Sequence, residues 1–212
     1  MNKIKKRLSE FEIFFCSPVS WHYVNNQMIL MPSTRSDNQR LFEELAFCLL
    51  TANTSAVMSM KAVDQIRQIL FTGNYDDIRS GLVSAGYRFP NKRAEYISQA
   101  REKFSDNLKQ LITKKDKFEL REYLVSSVKG LGYKEASHFL RNVGVRGLAI
   151  LDKHILKSMS EKGLIDEVPK SLNKKTYLEY ESILKDYSNK ENIDFDELDL
   201  LWWSNKNGEV LK

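Results

Sequence analysis

Apolar residues return every three to four positions along most of this chain, the period of an amphipathic helix. In DNQRLFEELAFCLLTAN (37–53), Leu41, Phe42, Leu45, Ala46 and Leu49 fall on one face, with Asp37 placed to cap the start. Residues 55–70 repeat the pattern through Val57, Met60, Ala62, Val63, Ile66 and Ile69 or Leu70. Residues 75–86 open on acids and close on Gly86, and 90–104 open on Pro90, a residue suited to a first helical turn. Further helices are expected at 117–128, 134–143, 152–163, 171–190 and 194–206, with an amphipathic one over the first fifteen residues. Only WHYVNNQMILMP (21–32) reads as extended. No βαβ alternation, nucleotide-binding glycine loop, internal repeat or low-complexity linker interrupts the series. The pattern predicts an all-α fold with short connections.

The chain has 212 residues, enough for one packed domain or two small lobes sharing an interface. With 42% hydrophobic and 29% charged residues it has the composition of a folded protein, which argues against disorder beyond short loops. The net charge of +5 suits a polyanionic partner without requiring one. No stretch has the apolar length of a membrane span, and Glu10 and Glu12 break the apolar part of the basic start, so no signal peptide is expected. The expectation is a soluble, cytoplasmic protein. Cys16 and Cys48 sit among apolar residues and read as buried, reduced thiols. Two cysteines cannot supply the four thiolates of an iron–sulfur cluster. His22, His138 and His154 are too scattered to suggest a metal site, and His138 reads as packing on its helix. Neither a metal nor an organic cofactor is expected.

The informative stretch is LVSSVKGLGYKEASHFLRNVGVRGLAILDKHIL (124–156). An apolar helix ends at Lys129-Gly130-Leu131-Gly132-Tyr133, and a new helix opens at Lys134. Two glycines one residue apart allow a tight turn whose bare backbone N–H groups can approach a phosphate. The following helix start adds unpaired donors and partial positive charge. Leu131, between the glycines, is expected to point back into the helix pair. Such a helix–hairpin–helix, at about 118–144, holds one DNA strand by its backbone without reading sequence. An ordinary helix–loop–helix with glycine punctuation is the alternative.

Lys134 stands in the first turn of the second helix, where the helix already carries partial positive charge. That location disfavours the ammonium and favours the nucleophilic free amine, and Lys129 nearby acts in the same sense. Held beside a DNA backbone, such an amine can attack a sugar C1′ and displace the base. Asp152, eighteen residues on, follows the apolar run Ala149-Ile150-Leu151 and precedes a helix. It is a natural N-cap. Its carboxylate can also stabilise a cationic sugar or accept the lysine's proton.

At Gly130, Gly132, Lys134 and Asp152, with His154 two residues beyond, the sequence resembles the helix–hairpin–helix DNA glycosylase superfamily. Within it, CLLTANTSA, GLGYKEASHFLRNVG, LAILDKHIL and the ending LDLLWWSNKNGEVLK resemble the compact second class of 8-oxoguanine DNA glycosylase/AP lyases. The resemblance covers roughly residues 40–212 and leaves the first 35 without a role. It implies a single two-lobed helical unit over 1–212, with duplex DNA in the cleft and the damaged base flipped out. It also implies a bifunctional enzyme that removes 8-oxoguanine through a lysine Schiff base and then cleaves the strand 3′ to the lesion. The expected state is a monomer.

The resemblance further implies a base pocket at the C-terminus. There Trp203 would stack on the base, Asp199 would accept from purine N–H groups, and Lys212 would offer both its ammonium and its terminal carboxylate. Phe89 would form the other face of the sandwich, and Asn53 would fill the gap left by the flipped base. Plain structural readings stand beside each of these: a mobile terminal lysine, a core tryptophan, an apolar staple at Phe89 and a helix C-cap at Asn53. Lys129, Gly130, Gly132 and His154 complete the expected DNA contacts. The chain lacks the C-terminal cysteine cluster of endonuclease III-type relatives and has the lysine that adenine-removing relatives without lyase activity lack. The competing readings are the same chemistry on another oxidised base, a non-catalytic helix–hairpin–helix DNA-binding module, and a helical protein–protein adaptor.

Overall fold

The computed structural model describes residues 3–207 and 210–212. Met1 and Asn2 of the expected opening helix, and Gly208 and Glu209 of the ending, lie outside the described residues. Helix α1 (Lys3–Cys16) leads into a hairpin of β1 (Val19–Val24) and β2 (Gln27–Pro32). Then follow α2 (Asp37–Thr51), α3 (Ala56–Ile66), α4 (Tyr75–Ser84), α5 (Pro90–Phe104), α6 (Leu108–Lys114), α7 (Lys117–Ser127) and α8 (Tyr133–Asn142). The chain closes with α9 (Lys153–Glu161), α10 (Lys174–Lys190) and α11 (Phe195–Asn207).

The extended stretch is an antiparallel hairpin in which Val19 pairs Pro32 and Val24 pairs Gln27. Asn25 and Asn26, at φ 50° and 61°, make its two-residue turn, a conformation that asparagine tolerates. The fold is therefore helical with one small sheet. Helix α6 has no counterpart in the periodicity, since seven residues with only Leu108 buried carry too little pattern.

Two expectations need correction. Ser36, not Asp37, caps α2: the Ser36 hydroxyl accepts from Gln39 N, and the Gln39 side chain accepts from Ser36 N. Asp37 instead pairs with Arg40 inside the helix. Cys16 is exposed at the end of α1, so its apolar neighbours misled; Cys48 is buried as expected.

Helix α2 is buried without a break from Arg40 to Thr51, so it forms the axis of the larger core. Its buried charges are paired. Arg40 donates to Phe14 O (2.6 Å) and Val19 O (2.9 Å), and Glu43 pairs with Arg67. A second core gathers Ala149 and Leu151 from the segment before α9, and Ile155, Leu156, Met159, Tyr177, Leu184, Leu198 and Trp202 from α9, α10 and α11. Helix α11 joins the two, with Leu200 in the first core and Leu198 and Trp202 in the second. Residues packed in both cores line one cleft.

Candidate active site

The hairpin between α7 and α8 is built as its glycines require. Gly130 has φ +82°, and a Cβ there would stand 2.2 and 2.4 Å from ring carbons of Tyr96. Leu131 is buried and donates to Val128 O at 3.2 Å, which locks the turn onto α7. Gly132 precedes α8 and offers no side-chain cap, and Glu135 Oε2 lies 3.2 Å from where a Cβ on Gly132 would stand. A hollow of about 460 Å³ lies along Val125–Gly132. Lys129 beside it is exposed and ion-paired to Glu95 at 2.6 Å, over the Tyr96 ring.

Lys134 is the second residue of α8. Its side chain is 24% exposed, and Nζ lies 3.3 Å from Glu135 Oε1. Asp152 is the N-cap of α9: Oδ1 accepts from His154 N and Ile155 N, both at 2.8 Å. The cap uses only Oδ1 and fixes the plane of the carboxylate, so orientation and chemistry do not compete.

A buried polar network holds the segment that delivers Asp152. Arg121 of α7 makes a two-pronged pair with Glu181 of α10 (2.7 and 2.8 Å) and reaches Ser137 of α8 at 3.2 Å. Glu181 also accepts from Ala149 N at 2.7 Å. The Tyr177 hydroxyl donates to Ala149 O at 2.7 Å and lies 3.4 Å from Leu151 N, as its acceptor. Burial pushes the Tyr177 hydroxyl well above the usual phenol range. Three helices are thereby tied to the residues just before Asp152, and one of them carries Lys134.

Lys134 and Asp152 line a single cleft of about 1120 Å³, together with Asn53, His154, Asp199, Trp203 and Lys212. Asn53 follows α2 at φ +62° and is exposed on the rim. The two tryptophans divide: Trp202 packs in the second core against Tyr187, with ring centroids 5.5 Å apart, while the half-buried Trp203 faces the cleft. Asp199 is ion-paired to Arg141. Burial raises its carboxyl above the ordinary range, and Arg141 opposes that rise.

Lys212 is not a mobile terminus. Its side chain is 1% exposed, and its ammonium lies 2.5 Å from Glu44 Oε2 and 4.0 Å from the Phe47 ring centre. The ammonium is turned into a buried slot, and the Lys212 main chain lies beside His138, which also lines the cleft. Phe89 precedes α5, packs on the first core and has the Arg88 guanidinium 5.0 Å over its ring. Arg88, rather than Phe89, lines the cleft there. The hairpin glycines border their own hollow, and Gly132 also borders the cleft.

The 8-oxoguanine DNA glycosylase family model (Ogg-HhH) matches residues 28–193. The chain belongs to that family. Among curated relatives, an 8-oxoguanine DNA glycosylase/AP lyase from Korarchaeum cryptofilum is 46% identical over 179 residues, covering 84% of this chain and 85% of the relative. One from Methanocaldococcus jannaschii is 44% identical over 176 residues, covering 82% and 84%. The crystal structure of the Methanocaldococcus jannaschii 8-oxoguanine DNA glycosylase superposes with a TM-score of 0.84 at 40% identity, over 99% of this chain and 88% of that one. A second structure, of that organism's 8-oxoguanine glycosylase/lyase in complex with a 15-mer DNA containing 8-oxoguanine, gives 0.84 at 38% identity, over 99% and 91%. At 99% coverage these matches take in the N-terminal helix and hairpin that the sequence resemblance left unassigned.

In this member of the 8-oxoguanine DNA glycosylase family, several residues in the cleft or buried behind it were silent in the sequence. Glu44 and Arg141 are buried charges whose partners lie 168 and 58 residues away. Nothing local marks them. His138, one turn beyond Lys134, lines the cleft as well as packing edge-on to Phe47. Neither of its ring nitrogens has a hydrogen-bond partner of good geometry among the described residues, although the Lys212 main chain lies nearby. Burial, followed by the cations of Arg141, Lys134 and Lys212, holds this imidazole well below the ordinary histidine range. Its i+4 spacing from Lys134 was the available signal.

Proposed function

We propose that this cleft removes 8-oxoguanine from duplex DNA as a bifunctional glycosylase/AP lyase, with Lys134 as nucleophile and Asp152 as its carboxylate partner. The observation that carries this reading is the meeting of both groups in one cleft, with the lysine opening the helix behind a bare glycine hairpin. The hairpin hollow and the α8 start hold a backbone phosphate, Lys129 adds charge at the edge, and Asn53 enters the space left by the extruded base. His154 contacts the strand from the α9 start. Trp203 supplies a stacking face, and Asp199 and the terminal carboxylate of Lys212 supply acceptors for purine N–H groups. The proposal places no base contact on Phe89.

The Lys134 free amine attacks C1′, and the glycosidic bond breaks with its electron pair leaving on the base, which takes up a proton. Asp152 stabilises the positive charge that develops on the sugar and accepts the proton the amine gives up. Opening of the sugar at O4′ gives the protonated Schiff base. Loss of a C2′ proton then expels the 3′ phosphate by β-elimination, and water releases the lysine. The nucleophile and the carboxylate supply this chemistry without a metal or cofactor. The proposal includes action as a monomer on cytoplasmic DNA.

Borohydride trapping on duplex DNA with 8-oxoguanine opposite cytosine tests the assignment. Wild type should form a covalent adduct and Lys134→Gln none. Asp152→Asn, which keeps a capping oxygen but loses the charge, should slow adduct formation by about 100-fold or more. An adduct in Lys134→Gln would overturn the nucleophile. An adduct only with a pre-formed abasic site would overturn the substrate.

A further inference from the structure

The family model leaves out residues 1–27 and 194–212, and these two outlying segments build on one another. Helix α1 packs along α11, and Lys5 approaches Glu197 at 3.9 Å. Arg7 Nη2 donates to Val210 O at 3.2 Å, and its guanidinium lies 5.0 Å over the Trp21 ring of β1. Trp21 is 2% exposed and, with Phe47 of α2, walls the slot occupied by the Lys212 side chain. Glu44 closes the slot. One of its oxygens meets the Lys212 ammonium, and the other accepts from Asn142 Nδ2 of α8 at 2.7 Å.

A lone ammonium would not enter such a place. Desolvation of the lysine has to be offset by a carboxylate and by aromatic faces, and here both are provided from elements far away in sequence. The Lys212 side chain is 1% exposed, and its ammonium is turned to Glu44 inside the slot. Its effect is to fix where the chain ends. Glu44 links that end to α8, the helix on which Lys134 stands.

We propose that α1, β1 and α2 form a receptor for the chain's own C-terminal residue, in which the Lys212 ammonium is an anchor and Glu44 and Arg7 are positioning residues that set the terminal carboxylate against the extruded base. This rests on the reading of Lys212 as part of the base pocket. The N-terminal segment then serves base recognition without touching DNA. Because the seat acts on the base and not on the sugar, disturbing it separates the two activities.

The test measures 8-oxoguanine excision and cleavage of a pre-formed abasic site side by side, under single turnover, with thermal melts as a check on folding. Lys212→Met keeps the terminal carboxylate and the apolar stem but loses the anchor. It should lower excision about 10-fold or more while abasic-site cleavage changes by less than about 3-fold. Arg7→Gln and Glu44→Gln should move the same ratio in the same direction, and Lys212→Arg should restore part of it. In a chain truncated before Lys212, Glu44→Gln should add no further loss. If truncation harms excision but Lys212→Met does not, the anchor is wrong while the base reading stands. If truncation leaves excision intact, the base reading itself fails. Equal loss of both activities in Arg7→Gln and Lys212→Met would make the seat a general support and overturn the inference. Should Glu44→Gln fail to fold, those two variants decide the matter.

Discussion

Glu181→Ala should be among the most damaging single changes outside the cleft. Arg121 is 1% exposed on its side chain and, among the described residues, would keep only the Ser137 hydroxyl as hydrogen-bond partner. Stranding one member of a buried pair costs about 3–5 kcal/mol. The Ala149 N–H would also lose its acceptor, a further loss of about 1–3 kcal/mol where no water replaces it. The sum is a large share of the roughly 5–15 kcal/mol that holds a domain together. At about 2–4 °C per kcal/mol for a chain of this size, the melting temperature should fall by about 8 °C or more. Arg121→Met/Glu181→Leu removes both charges and fills the space, so the double variant should be much closer to wild type than Glu181→Ala. Urea titrations of wild type, Arg121→Met, Glu181→Leu and the double variant measure this as a coupling energy. A Glu181→Ala loss below about 1 kcal/mol, or a double variant as unstable as the single, would refute the argument. The functional consequence follows from the chain order. Ala149 and Leu151 immediately precede Asp152, so Glu181→Gln protein that remains folded should excise the base more slowly while still binding DNA.

Gly130→Ala adds a Cβ where φ is +82° and the Tyr96 ring is 2.2 Å away, so the hairpin must shift. DNA affinity should fall about 10-fold and the salt dependence should lose about one phosphate contact, read by binding titrations at several salt concentrations; unchanged affinity and slope would remove the hairpin from the DNA interface. The lowered His138 imidazole predicts an acid-side effect. The unfolded chain takes up a proton near the ordinary value of 6.5 and the folded chain resists it. This contribution to stability is therefore intact above pH 6.5 and lost as pH falls below it, by about 1.4 kcal/mol per pH unit until the folded value is reached. His138→Asn should flatten that limb in urea titrations between pH 7 and 5, and an unchanged slope would show that His138 does not hold off the proton.

The parts legible in the sequence are those set by neighbours within one or two turns. Helical period placed α2, α5, α7, α8 and α10 to within a few residues, because burial of one face repeats along the chain. The bare hairpin, the lysine behind it and the N-cap at Asp152 were readable for the same reason: turn, helix start and cap are local chemistry. Local reasoning failed where exposure or partner depends on what packs above. Apolar neighbours put Cys16 in the core, yet the residue closes α1 on its open side. An aspartate ahead of an apolar run looked like the cap of α2, but the serine before it was better placed.

By itself, then, the sequence determined the helical class, the hairpin, the helix start at Lys134 and the N-cap at Asp152. Only the tertiary structure decided what each remaining group is free to do. The Lys212 ammonium belongs to Glu44, 168 residues away, and Asp199 to Arg141, 58 residues away. Phe89 packs inward while Arg88 takes its place on the cleft. A buried charge must find its counter-charge wherever the fold brings one, and that meeting is fixed by the packing of helices rather than by any spacing along the chain.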